Sequence, residues 1–122
     1  MSRFAPLPEP PYYAVIFTAQ RTATDEGYGQ MADAMVELAA KQPGYLGVES
    51  TRDEAGLGIT VSYWKDEASL LGWKAVSEHA FAQKMGKEKW YDHYTLRVAK
   101  VERHYEGPAG RGSWRASQMR LT

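Results

Sequence analysis

Cysteine is absent from the 122 residues. That removes disulfides, thiolate nucleophiles, iron–sulfur clusters and cysteine-based zinc sites. Long apolar runs are missing too, since none approaches the ~18 residues of a membrane span. The opening MSRFAPLPEPP has no apolar h-region, so no secretory signal is expected and the cytoplasm is the default compartment. Charge of one sign is not in excess: 15 basic and 15 acidic residues cancel, which argues against broad capture of nucleic acid. No P-loop, GxGxxG or HExxH occurs. Histidine is scarce, at three, and Glu102 with His104 on one strand face is a weak metal signal. Neither a metal nor another cofactor is expected.

Aromatic residues are plentiful, with four Trp, eight Tyr and three Phe. Such an excess points to a packed core, a pocket or an interface. Three segments follow from composition. Residues 1–11 hold Pro6, Pro8, Pro10 and Pro11 and read as an extended arm. Residues 12–106 form the domain. Residues 107–122 form a basic tail with Arg111, Arg115 and Arg120 and no acidic side chain.

Within the domain, Tyr12 to Ala19 is short, aromatic and β-branched, hence a strand. Both of its faces are apolar, which implies cover on both sides. Thr24 to Gly27 is a turn and helix-start cluster. Tyr28, Met31, Ala32, Met35, Leu38 and Ala39 then recur at helical spacing, until Pro43-Gly44 stops the helix. Tyr45 to Arg52 alternates as a strand. Asp53 to Gly56 turns it, and Gly58 to Trp64 returns, with Ile59, Val61 and Tyr63 opposite Thr60, Ser62 and Trp64. Asp66 is suited to cap a second helix running to about Met85-Gly86. That helix has two competing stripes: Leu70, Trp73, Ser77 and Phe81, or Ala68, Leu71, Ala75, Val76, His79 and Ala82. Lys87 to His93 reads as a further helical turn. Tyr94 to Tyr105 reads as the last strand, with a bulge near Ala99-Lys100 where the apolar parity switches.

The order is βαββαβ, an α+β ferredoxin-like arrangement with a four-stranded antiparallel sheet and helices on one face. No further segment of the chain can cover the opposite face, so a homodimer is expected, with the arm and tail lying across the partner or a neighbouring chain.

The segments YYAVIFTAQRT, PGYLGVES, ITVSYWKDEASLLGWK, HAFAQ and WYDHYTLRVAKVERHYE resemble the antibiotic biosynthesis monooxygenase family, the dimeric α/β-barrel proteins. The strand-ending Tyr63-Trp64, followed nine residues later by Trp73, is the most telling part. The resemblance implies a pocket between sheet and helices in each subunit. It further implies cofactor-free oxidation by O₂ of a phenolic or quinol-type aromatic. A non-catalytic small-molecule binder on the same fold is the competing reading. In the haem-degrading branch, an Asn on the first strand and a His near the end of the second helix accompany the Trp. This chain has no Asn and reads Gln83-Lys84-Met85 there, which speaks against haem degradation.

Six residues are candidates for the site. Trp73 would stack on a flat substrate or fill the sheet–helix gap. Trp64 would pack the core first and wall the pocket second. His79 would be a general base, with an unperturbed pKa of about 6.5, or a helical His satisfied by a hydrogen bond. Gln20 and Arg21, at the end of the first strand, would orient a substrate oxygen. Tyr94 would line the pocket mouth or the dimer seam.

Overall fold

Strand β1 (Tyr12–Arg21) is the axis of the sheet, with β3 (Leu57–Trp64) on one side and β4 (Tyr91–Val101) on the other. β2 (Tyr45–Arg52) flanks β3, so the strand order is β2-β3-β1-β4, antiparallel throughout. α1 (Tyr28–Ala40) and α2 (Glu67–Gln83) complete the βαββαβ order. The computed structural model describes residues 3–83 and 90–107, the side chains of 81–83 excepted.

The expected helical face of α1 is the one it uses. Met31 and Ala39 are buried, and Tyr28, Ala32, Met35 and Leu38 are partly so. The helix starts on Gly27, whose φ of 80° suits a residue without Cβ. Gly44, also at φ 80°, leads into β2. A Cβ there would collide with the Ser69 side chain on α2. Asp66 caps α2 as expected: Ser69 N donates to Asp66 Oδ1 at 2.8 Å. Hydrogen bonding from the Ser69 side chain, and then from its backbone N–H, holds the Asp66 carboxyl below the usual carboxylate range.

Packing settles the choice between the two stripes of α2. Leu70 is buried, and Trp73 and Ser77 are partly buried, whereas Leu71 is 54% exposed and Ala68, Ala75 and His79 are exposed. The inward stripe is therefore Leu70, Trp73 and Ser77. Phe81 lies outside the described side chains, as does the expected helix end at Met85-Gly86.

Strand β4 differs from expectation in three ways. It begins at Tyr91, so the expected helical turn through His93 is strand in its last three residues. Pairing explains this: Arg21 faces Tyr91 in the register, and Thr22 N donates to Trp90 O at 2.8 Å. It ends at Val101 rather than Tyr105. The register from Tyr12↔Val101 to Gln20↔His93 also runs unbroken, and the irregularity falls between Gln20 and Arg21. The parity switch near Ala99-Lys100 is thus no bulge. Tyr94, Leu96 and Val98 face the helices, while Val101 lies beside Tyr12 on the opposite face.

That opposite face has more cover from its own chain than the sequence suggested. The N-terminal arm packs on β2, so that a Cβ at Gly47 would sit 2.8 Å from Ala5 Cβ. Ala5 N donates to Glu49 Oε2 at 2.9 Å, and the Tyr63 hydroxyl donates to Glu49 Oε1 at 2.7 Å. Past β4 the chain brings His104 Nδ1 within 2.7 Å of the Tyr12 hydroxyl. Tyr12 and Ala14 are buried as a result. The arm's place on its own sheet corrects the expectation that no segment of the chain can cover that face. Tail residues 108–122 fall outside the described region.

Candidate functional site

Between the sheet and the two helices, the core divides into two apolar clusters. One gathers Val15, Ala39, Trp64 and Leu70, with Tyr13, Tyr45 and Trp73 against it. The other gathers Ala19, Met31, Trp90 and Tyr91, with Phe17, Tyr28 and Met35 against it. Members of both line a cavity of about 570 Å³. That size is within the usual range for small-molecule sites, about 300–1,000 Å³.

Part of the cavity's polar lining comes from β2 and β3. Ser50, Thr60 and Ser62, each with a hydroxyl, line it. By register they face the same way as Val15 and Phe17 on β1: Val15 pairs with Ser62, and Phe17 with Thr60. The more apolar parity of β3, Leu57, Ile59 and Val61, is turned from the helices. Leu57 and Ile59 are 46% and 40% exposed there. A cavity therefore stands where the apolar residues of a strand would ordinarily point.

The candidate residues scatter when placed in three dimensions. Trp73 lines the cavity and stacks on Trp64, with ring centroids 5.7 Å apart and planes at 18°. Trp64 is fully buried, lies outside the cavity lining and donates its Nε1–H to Ser62 Oγ at 2.9 Å. It is a core residue that backs the lining from behind. Arg21 and Tyr94 both line the cavity.

Gln20 does not, because one residue's step along β1 turns it to the other face. Its amide is spent on the hairpin, donating to Ala55 O at 2.8 Å and Arg21 O at 3.2 Å. His79 is exposed on the outer side of α2, away from the lining residues Trp73, Lys74, Ser77 and Glu78. Helical geometry separates it from Trp73, and the fold does not bring the two together.

Several lining residues escaped the sequence reading: Tyr28, Met31, Met35, Arg52 and the β2–β3 hydroxyls. Tyr28 is the hub of one end. Its ring lies edge-on to Tyr91, and the Tyr91 hydroxyl donates to the Tyr28 hydroxyl at 3.3 Å. The guanidinium carbon of Arg21 stands 3.5 Å from the Tyr28 ring centroid, and that of Arg52 5.1 Å. The signal that could have found the hydroxyls is the polar parity Thr60-Ser62 on a strand otherwise rich in β-branched residues.

Burial pushes several phenols above the ordinary 10.0. Tyr12 is raised by burial and then by the charges of Glu49, Glu106 and Glu9. Tyr45 is raised by burial alone, and Tyr63 by burial and then its bond to Glu49. Tyr91 is raised by burial and then by Tyr28, against the opposing charges of Arg21 and Arg52. The folded chain thus holds these protons more tightly than the unfolded chain does. Their contribution to stability is complete below about pH 10 and is lost as pH rises beyond it. Melting temperatures measured from pH 8 to 11 should be level at first and fall above about pH 10. A flat profile to pH 11 would contradict this.

A ferredoxin-like sheet with a cavity of small-molecule size under its helices defines the class. The family model described as antibiotic biosynthesis monooxygenase matches residues 11–85, and the chain belongs to that family. Two relatives add to this. An uncharacterised Bacillus subtilis protein, YqjZ, is 50% identical over 103 residues, covering 84% of this chain and 90% of that one. A jasmonate monooxygenase of Pyricularia oryzae is 30% identical over 94 residues, covering 73% of this chain but 43% of that one. Among solved structures, the fold is similar to SnoaB, a cofactor-independent oxygenase from Streptomyces nogalater. The TM-score is 0.66 at 8% identity, covering 79% of this chain and 98% of that one. The protein PA3566 of Pseudomonas aeruginosa matches with a TM-score of 0.60 at 18% identity, covering 80% and 98%. Family membership supports a monooxygenase-like or small-molecule-binding function.

Proposed function

We propose that the protein is a cofactor-independent monooxygenase that holds one flat, apolar substrate of phenolic, quinol or enolisable character in this cavity. The observation that carries the reading is the cavity of about 570 Å³ between Trp73 and the hydroxyl row of β2 and β3. Trp73, backed by Trp64, offers a ring for stacking, and Ser50, Thr60, Ser62 and Tyr94 offer donors to a developing oxyanion.

In such a site the substrate itself is the reductant. Loss of a proton gives an electron-rich anion, which passes one electron to O₂. The substrate radical and superoxide then combine to form a carbon–oxygen bond and, with a proton, a hydroperoxide. Loss of water from the hydroperoxide leaves a carbonyl. One oxygen atom stays on the substrate and the other leaves as water. The chain's part is to bind the anion, orient it and exclude bulk water.

We place this activity in a homodimer. The exposed Leu57 and Ile59 on the face away from the helices support that assembly. The cytoplasm is the compartment that a cysteine-free chain suits.

Oxygen uptake by the purified protein with a panel of anthrones and hydroquinones tests the reading, with turnover expected only for substrates that ionise. Light scattering run beside it should give twice 13.7 kDa, and a mass of 13.7 kDa would remove the dimer. Binding without turnover is the second reading. It is favoured by the lack of a histidine among the described lining residues, which leaves no side chain that titrates near neutrality to take the proton. Tight binding with no oxygen uptake across the panel would select it.

A further inference from the structure

We propose that the Arg21–Arg52 end of the cavity is a carboxylate site, so that the ligand is an apolar acid. This rests on the cavity being the binding site, as proposed above.

Arg21 leaves β1 at its register irregularity, and its side chain is only 8% exposed. A cation that deeply buried is uncommon unless it is paired. Its Nη2 donates to Thr24 O and to Asp25 Oδ1, both at 2.8 Å. Its Nε, also buried, has no hydrogen-bond partner. The guanidinium therefore uses one corner on its own chain, and its edge nitrogen is unsatisfied. Arg52, from the end of β2, stands over the same Tyr28 ring and has no ion pair among the described residues.

The charges around the cavity are unevenly spread. Lys74 and Glu78 neutralise each other at 2.8 Å on α2, and Asp33 is exposed on α1. At the Tyr28 end, the two guanidinium groups have one ion-pair partner among the described residues, Asp25 on Arg21, whose side chain is 92% exposed. Water screens that partner, so the end is net positive. The hydroxyls of Tyr28 and Tyr91 stand beside it. A planar fork with an unsatisfied N–H, a second cation and neutral donors suit a carboxylate's two oxygens. The rest of the lining, including Val15, Phe17, Met31, Met35 and Trp73, suits an apolar body.

The test is a fluorescence titration of the full chain with 1-pyrenebutyrate and with its methyl ester, which shares the apolar body but lacks the charge. At low salt the acid should bind at least roughly tenfold more tightly than the ester, and added salt should shrink that preference. Arg21→Gln disturbs a buried packed group, so Arg52→Gln carries the test. It should reduce acid affinity roughly tenfold and leave ester affinity unchanged, and Arg52→Lys should restore part of the loss.

Equal affinity for acid and ester would overturn the proposal. So would an Arg52→Gln variant that keeps the full preference, or a failure of both probes to bind. Oxygen uptake is scored separately. An acid preference lost in Arg52→Gln, without any uptake, retains the carboxylate site and removes the monooxygenase reading. Uptake on neutral substrates with no acid preference does the reverse.

Discussion

Trp64→Ala is expected to lower the free energy of unfolding by about 3–5 kcal/mol, the range for losing a fully buried large aromatic. The Trp64 ring has no solvent exposure. It stacks on Trp73 and meets Tyr45 edge-on, with centroids 5.6 Å apart and planes at 75°. Removing it opens a void beside an existing cavity and leaves Ser62 Oγ without its indole donor. The void also takes away the wall behind Trp73. Urea unfolding with an unchanged slope would give the figure directly, and a loss below about 1 kcal/mol would show that the site collapses without penalty. Trp73→Phe makes the contrast. That ring is half-buried and lines the cavity, so the variant should stay folded and chiefly raise KM.

Filling the cavity should have the largest effect on function. Thr60 sits on the central part of β3 opposite Phe17, with its side chain toward the cavity. Thr60→Phe keeps a residue suited to strands and directs a ring into the cavity. The variant should fold, with a melting temperature within a few degrees of the parent. Substrate turnover should fall on the order of 10²-fold, since small misplacement of a bound substrate costs that much. Turnover or probe binding left intact in a folded Thr60→Phe variant would put the chemistry elsewhere.

The elements were legible where one local rule acts alone. Apolar spacing on α1 names its buried face, because a helix against one sheet has a single stripe to bury. The β2–β3 turn follows from Asp53 and Gly56: Asp53 Oδ1 accepts from Leu57 N at 2.9 Å, and Gly56 takes φ 95°. Asp66 reads as a cap for the same local reason. The second helix did not yield its face, because Leu70 and Leu71 anchor rival stripes of similar weight and only packing against β1 and β3 chooses between them. The start of β4 was missed because Tyr91 to His93 looks equally fit for a helical turn. Those residues become strand through pairing with Gln20 and Arg21, some seventy residues earlier in the chain.

The site was less legible than the fold. Of the six residues singled out from the sequence, Trp73, Arg21 and Tyr94 line the cavity and Trp64 supports it from behind. Gln20 and His79 look elsewhere for simple geometric reasons. Adjacent strand residues face opposite ways, and six steps along a helix carry a side chain around to another face.

The sequence by itself determined the βαββαβ order and the family. Each of these depends on spacing within a short stretch or on a motif of neighbouring residues. The tertiary structure alone decided that β3 turns its more polar parity toward the helices, that the arm lies on its own sheet, and that Arg21 and Arg52 meet over Tyr28. Those three follow from strand pairing and helix docking between residues far apart in the chain, for which no local pattern of apolar and polar residues carries a signal.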